Sequence, residues 1–147
     1  MNWAWLRFAE LGVDNLYDAL ALRSRVFVVE QGPYLDPDGV DRHCWHLLGR
    51  NAHGALQAYL RAVDPGVKYT EASLGRVITA PEARGTGAGH ALVAEGLKRC
   101  QQVWPGQALR ISAQAHLQRF YAAHGFVAIG QVYSEDTIPH IEMLRPA

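Results

Sequence analysis

Arg84-Gly85-Thr86-Gly87-Ala88-Gly89-His90 is the stretch on which the reading of this chain turns. It follows Ser73-Leu74-Gly75-Arg76-Val77-Ile78-Thr79, which suits a buried strand, and the short link Ala80-Pro81-Glu82-Ala83. It runs into Ala88, Leu92, Gly96, Cys100 and Val103, which fall at helical spacing. Strand, glycine turn and helix in that order present the free N–H groups of a helix N-terminus where glycines leave the approach clear. The helix dipole adds partial positive charge, so successive amides of residues 85–90 suit an anion, above all a phosphate or diphosphate. Arg84 adds a fixed cation at the mouth. The competing reading is a glycine-rich turn that binds nothing.

Absences narrow the ligand. A P-loop ends in Gly-Lys-Ser/Thr, and this turn has no lysine. A dinucleotide fingerprint needs G-x-G-x-x-G and an acid about 20 residues on, at a second strand. Here the spacing is G-x-G-x-G, and the next candidate strand, residues 109–113, carries no acid.

Working outward, residues 45–50 and 55–63 read as an antiparallel hairpin around Asn51-Ala52-His53-Gly54. Residues 3–11 alternate and are aromatic-rich, as a first strand would be, and Asp14 can cap a helix carrying Leu16, Leu20 and Phe27 on one face. That segment should stop at Gly32-Pro33, ahead of the turn cluster Asp36-Pro37-Asp38-Gly39. The glycine-turn helix should end near Trp104-Pro105-Gly106. Leu117, Phe120, Tyr121 and His124 mark a further helical face ending at Gly125, and residues 126–133 and 138–144 read as two closing strands. The expectation is an α/β (α+β) fold: one domain over 1–147, with a mixed central sheet of about six or seven strands and helices on both faces.

With 147 residues, 49% hydrophobic and 19% charged, the chain is of ordinary globular composition and long enough to bury about 70% of its surface. Fourteen basic and fourteen acidic residues cancel, which argues against nucleic-acid or membrane binding through bulk charge. Two cysteines, no secretory pattern and no long apolar run make a cytoplasmic protein the expectation. No metal is expected. His43 and His46 flank Cys44-Trp45 without further ligands at metal spacing, and the Asp36–Asp38–Asp41 cluster lacks the spacing and terminal Glu of an EF-hand.

Arg84, Gly87 and Gly89 fit the pattern Gln/Arg-x-x-Gly-x-Gly/Ala, and this strand–turn–helix resembles the coenzyme A site of the GNAT acyltransferase superfamily. The block Leu117-Gln118-Arg119-Phe120-Tyr121-Ala122-Ala123-His124-Gly125-Phe126 resembles that superfamily's helix ending in Tyr-x-x-x-Gly-Phe. Further blocks resemble its ElaA-type branch: Arg25-Val26-Phe27-Val28-Val29-Glu30-Gln31, Ala113-Gln114-Ala115-His116-Leu117-Gln118, and Tyr133-Ser134-Glu135-Asp136 before Ile138-Pro139-His140-Ile141. Thr137 stands where the branch usually has Gly, and Gly32 where it has Cys.

The resemblance implies an acyl-CoA-dependent N-acyltransferase, with acetyl-CoA as co-substrate and a small-molecule or peptide amine as acceptor; it leaves a homodimer open. It places pantetheine beside Val77, Ile78 and Thr79, the diphosphate on Arg84, Gly85, Thr86, Gly87, Ala88, Gly89 and His90, and a proton-donating role on Tyr121. The base is open among His116, His140 and Glu71. Glu30, Asp36 and Asp38, with Asp41 and His140, border the expected acceptor site, where negative charge would draw a cationic amine. Each has a plainer reading as a packing aromatic, a solvated acid or turn chemistry. A covalent cysteine route is disfavoured because Cys100 lies on the helix core stripe and Cys44 has no basic partner. Two other classes compete with the enzyme: a non-catalytic acyl-CoA sensor or interaction module, and a nucleotide-binding domain.

Overall fold

The hairpin expected around Asn51 is the centre of the molecule. In the computed structural model, which describes all 147 residues, the Asn51 side chain accepts the N–H groups of His53 and Ala55 at 2.9 and 3.0 Å and closes the turn. In chain order the strands are β1 (Asn2–Arg7), β2 (Cys44–Arg50), β3 (Leu56–Val63), β4 (Ser73–Thr79), β5 (Leu109–Gln114), β6 (Val127–Ala128), β7 (Tyr133–Glu135) and β8 (Ile138–Arg145). The helices are α1 (Gly12–Ser24), α2 (Ala88–Val103) and α3 (Gln118–Ala122).

The first four strands form an antiparallel sheet in the order β1-β2-β3-β4; β5-β8-β6 form a second, with β7 also on β8. The expected mixed sheet is therefore two antiparallel halves that meet side by side, with eight strands in all. β3 is buried along both faces. Leu60 and Ala62 pack with Leu92, Val93 and Cys100 of α2, whereas Tyr59 packs with Ala19 and Leu22 of α1, so helices cover both sides. A Cβ on Gly96 would sit 2.8 Å from a Leu60 methyl, so glycine is what lets α2 approach β3 this closely. No helix is long and apolar enough to cross a membrane.

β4 and β5 run parallel and pair through the backbone only at the Ala72–Leu109 bridge, where Arg110 N–H donates to the Ala72 carbonyl at 3.0 Å. Beyond it they separate. On the way β4 bulges: Tyr59 faces Ile78 but Arg61 faces Gly75, so one residue of β3 is opposed by two, and Arg76 takes φ of +49°.

Three local expectations change. β1 stops at Arg7 because Glu10 accepts the Arg7 N–H at 2.9 Å and closes a 3-10 turn; α1 then starts at Gly12, placing Asp14 in its first turn rather than at the cap. The helix does not end before Gly32 in α form but widens into a π-helical stretch, Arg25–Glu30. The single strand read over 126–133 is two short ones: the backbone leaves β8 after Ile129, across Gly130, and rejoins it at Tyr133.

β7 and β8 are joined by the two-residue turn Asp136-Thr137, with φ of +50° and +65°. Both central residues of such a hairpin must adopt the left-handed region, which a β-branched side chain resists. Thr137→Gly is expected to stabilise the protein by about 1 kcal/mol, a rise in melting temperature of roughly 2–4 °C by calorimetry.

Candidate active site

Where β4 parts from β5 a cavity of about 360 Å³ opens, walled by Val77, Ile111, Ala113 and Leu117. Tyr121 reaches it from α3. Its ring packs edge-on against Phe120 and Phe126, with centroids 5.0 and 5.9 Å apart, and its hydroxyl has no hydrogen-bond partner in the chain. Burial pushes that hydroxyl up to about 12, so Tyr121 stays protonated at neutral pH and can donate to an oxygen or sulfur placed before it.

At the other end of β4 the glycine turn has the form expected of an anion cradle. Gly85 and Gly87 adopt φ of +77° and +83°, and nothing lies within 4 Å of where their Cβ atoms would be. The first N–H of this region to find an acceptor is that of Ala91, on the Gly87 carbonyl; those of residues 85–90 have none in the chain. Gly87 caps α2, Ala88 and Gly89 open its first turn, and His90 stacks on Phe120 at 4.6 Å. Arg84, however, is held by Glu30 through two hydrogen bonds of 2.6 and 2.8 Å. With Arg25–Glu82 at 3.0 Å, this pair docks the π-helical stretch on the glycine turn. Both pairs are exposed and weak, so Arg84 is not locked to Glu30.

The acidic loop is held largely by arginines, and of its three aspartates only Asp38 lines the cavity. Asp36 is buried: Arg23 Nε lies 2.9 Å from it and Arg76 Nε donates at 2.8 Å. Asp41 accepts from Arg23 and Arg61, each at 2.9 Å. Asp38 reaches the cavity wall, yet accepts from Arg61 at 2.9 and 2.7 Å and lies 3.4 Å from Arg76. Desolvation works against the charge on Asp38 and Asp41, but these arginines outweigh it and hold both carboxyls below the usual range. Behind them His46 is buried with Tyr59 Oη at 2.6 Å and the Asp41 carbonyl at 2.9 Å. Glu30 meets Arg84 and does not line the cavity.

Two of the three candidate bases also lie elsewhere. Glu71 sits at the pinned end of the strand pair, where Arg110 donates to it at 3.1 and 3.3 Å and so lowers its proton affinity. His116 is exposed on a turn outside the cavity. His140 does line it. Around His140 the structure gathers three residues that spacing alone did not single out: Ser112 of β5, and Tyr133 and Glu135 of β7. Ser112 hydrogen-bonds Tyr133 and donates to Glu135 at 3.1 Å, and His140 Nε2 lies 3.3 Å from the same Glu135 oxygen. The signal was the block Tyr133-Ser134-Glu135-Asp136, but only the β7–β8 register shows that it folds over β5. Burial pushes both cysteine thiols up to about 12, so neither Cys44 nor Cys100 is a thiolate at neutral pH.

Residues 58–145 match the acetyltransferase (GNAT) domain family. The chain belongs to the GNAT superfamily, in its ElaA branch. It is 46% identical to a UPF0039 protein of Synechocystis over 98% of this chain and 94% of that one. It is 41% identical to Protein ElaA of Escherichia coli over 99% and 96% of the two chains, and the crystal structure of that protein superposes with a TM-score of 0.91, covering 98% of each chain. An acyl-CoA N-acyltransferase from Pseudomonas aeruginosa superposes at 0.93, with 43% identity and 98% of both chains covered. The matched family segment begins in β3, so it carries the glycine turn, Tyr121 and His140 but not the acidic loop.

The buried ion network supplies the prediction for this site. Arg61→Met is expected to cost about 3–5 kcal/mol in denaturant unfolding, because it strands Asp38 and Asp41 without their shared cation. Both carboxyls are depressed in the folded state, so their stabilisation is complete above the unfolded value near 3.9 and fades as pH falls below it. Asp38→Asn should flatten that acid limb.

Proposed function

We propose that this GNAT acyltransferase is an N-acetyltransferase that moves acetyl from acetyl-CoA to a primary amine by direct attack within a ternary complex. The observation that carries this reading is the presence of two features on one strand: six partnerless N–H groups at residues 85–90, just past the end of β4, and a cavity beside residues 73–77 of β4 that Tyr121 also lines. A sensor needs the first alone. A transferase needs both, since the diphosphate anchors the carrier while its thioester meets a second substrate.

The residues divide the work by their chemistry. The N–H groups of residues 85–90 take the diphosphate, with Arg84 released from Glu30 to join them. Main-chain groups of Val77, Ile78 and Thr79, along the free edge of β4, pair with the pantetheine amides. The Val77 side chain helps wall the cavity, whereas Ile78 faces the core. The amine must arrive neutral or be made so, because an alkyl ammonium with a pKa near 10.4 has no lone pair to attack with. A thiol near 8.5 is a better acid than Tyr121 at about 12, so full proton transfer from the phenol to a departing thiolate is uphill by roughly 5 kcal/mol. Tyr121 therefore acts as a hydrogen-bond donor to the sulfur as charge builds there. Such a bond to a charged atom is worth about 1.5–3 kcal/mol.

The test of the function is thiol release from acetyl-CoA against a panel of primary amines: a polyamine, an amino sugar, a peptide N-terminus and a lysine peptide. At least one should give acetylated product, and release with none of them would overturn the reading. Gly87→Val should abolish coenzyme A binding by calorimetry while circular dichroism stays native, because a branched side chain at φ of +83° both strains the cap and fills the cradle. Tyr121→Phe should lower kcat about 10- to 100-fold and leave acetyl-CoA affinity within about threefold, with the same deficit from pH 6 to 9 because the phenol does not titrate there.

A further inference from the structure

The proton that the amine must lose needs a destination, and the carboxylates offered by the acidic loop are engaged elsewhere. We propose that the Glu135 carboxylate is the group that receives the acceptor's ammonium and takes its proton, with Ser112 and His140 as the residues that position it. This rests on the N-acyltransferase reading above and names the acceptor side of the same site.

Glu135 closes β7 immediately before the strained Asp136-Thr137 turn, and it lines the cavity together with Asp136, His140 and Tyr121. Its Oε2 accepts from Ser112 at 3.1 Å and faces His140 Nε2 at 3.3 Å; its Oε1 has no partner in the chain and is left for a ligand. No lysine or arginine lies within 4 Å of it. By contrast Asp38 meets Arg61, Glu30 meets Arg84 and Glu71 meets Arg110. Among the carboxylates first considered for the acceptor side, none keeps a free oxygen toward the cavity in this way.

The imidazole fixes how the carboxylate is held. His140 Nδ1 lies 2.8 Å from the Ile138 carbonyl, which can only accept, so Nδ1 carries a hydrogen and the ring is locked with Nε2 turned to Glu135. With Ser112 on the same carboxylate oxygen, Oε2 is fixed and Oε1 is left unpaired. The other charged and titratable groups around it are Lys68 and Tyr69 before β4, Arg61 and Arg76 beneath the cavity, Tyr133 on β7, Asp136 in the turn and Glu142 on β8, which lies 3.8 Å from Arg110.

The proton count closes. An ammonium docked on Glu135 gives one proton to the carboxylate, which is itself open to solvent and passes it on to water. The neutral nitrogen then forms its bond to the acetyl carbon as the carbon–sulfur bond breaks, and the second proton shed by nitrogen balances the thiolate released.

The experiment compares the parent with Glu135→Gln and His140→Gln, using acetyl-CoA and the same amine panel. Glu135→Gln should keep acetyl-CoA affinity within twofold and a native circular dichroism spectrum. Its kcat/KM for the best amine should fall at least 100-fold at pH 7, through both KM and kcat, and recover steadily toward pH 9 as solvent supplies neutral amine. His140→Gln should lower kcat with little change in KM. Calorimetry of the coenzyme A complex with each panel amine gives an independent readout: binding by the parent, weakened at least tenfold in Glu135→Gln, supports the assignment whether or not thiol is released. Parent-like kinetics in Glu135→Gln, or no amine binding by the parent complex, overturns it. Absence of thiol release from the parent, with Glu135-dependent amine binding intact, would sink the transferase reading alone.

Discussion

Everything functional in this molecule follows from one interrupted pairing. β4 and β5 lie side by side and parallel, yet exchange hydrogen bonds only beside Ala72. Past that point the bulge at Arg76 turns β4 aside, and Leu117 and Tyr121 come in from the α3 side to line the gap. Main-chain groups along the open edge then need partners other than a strand, since burying them unpaired costs about 1–3 kcal/mol each. An extended chain carrying amides is the kind of occupant that such an edge can satisfy. The same gap is lined on its β7–β8 side by Glu135, Ile138 and His140, so a single failure to pair gives the proposed site both of its walls.

The second constraint is the charged brace beneath it. Arg23 from α1, Arg61 from β3 and Arg76 from β4 converge on Asp36, Asp38 and Asp41, all from the loop and short 3-10 turn that precede β2. Arg76 also lies over the rings of Tyr34 and Phe27, at 5.1 and 5.7 Å. Ion pairs this deeply buried are poor sources of net stability, because desolvation consumes most of their Coulomb attraction. What they provide is position. Arginines from three separate elements fix a loop that has no ladder of its own, and with it the cavity wall formed by Gly32, Pro33 and Tyr34.

That brace explains which parts of the site were legible in the sequence. The cradle was readable because its chemistry is main-chain chemistry: Gly85, Gly87 and a helix start are contiguous, and contiguity is what a sequence displays. Tyr121 was readable for the same reason, as a fixed offset within one short helix before Gly125-Phe126. The acidic loop misled because Asp36, Asp38 and Asp41 advertise negative charge locally, while the arginines that neutralise them lie up to about 40 residues away on other elements. Glu135 went unchosen for the converse reason. An acid in a turn is unremarkable until the β7–β8 register brings it to His140 and the fold lays both against Ser112 of β5. Thr137 was noticed only as a departure from a family pattern; its φ of +65° supplies the physical reason that a glycine usually stands there.

The two halves of the site are therefore built on different principles, and this decides where acceptor choice resides. In the proposed function the cradle would recognise its ligand through amides that every sequence possesses, so only the glycines and Arg84 would be constrained there. The proposed acceptor side is made of side chains from hairpin ends and loops: Gln31 and Tyr34 ahead of the brace, and Glu135, Asp136 and His140 at the tip of β7–β8. The segment that defines family membership begins at residue 58, past the first of these groups. Membership thus accounts for the cradle and the tyrosine, whereas part of the acceptor wall is contributed by residues outside the family match. On the proposed reading, substitution along that wall would alter the groups an amine meets without touching an amide proposed to hold the diphosphate, and so one fold could keep its acyl donor while its acceptor changes.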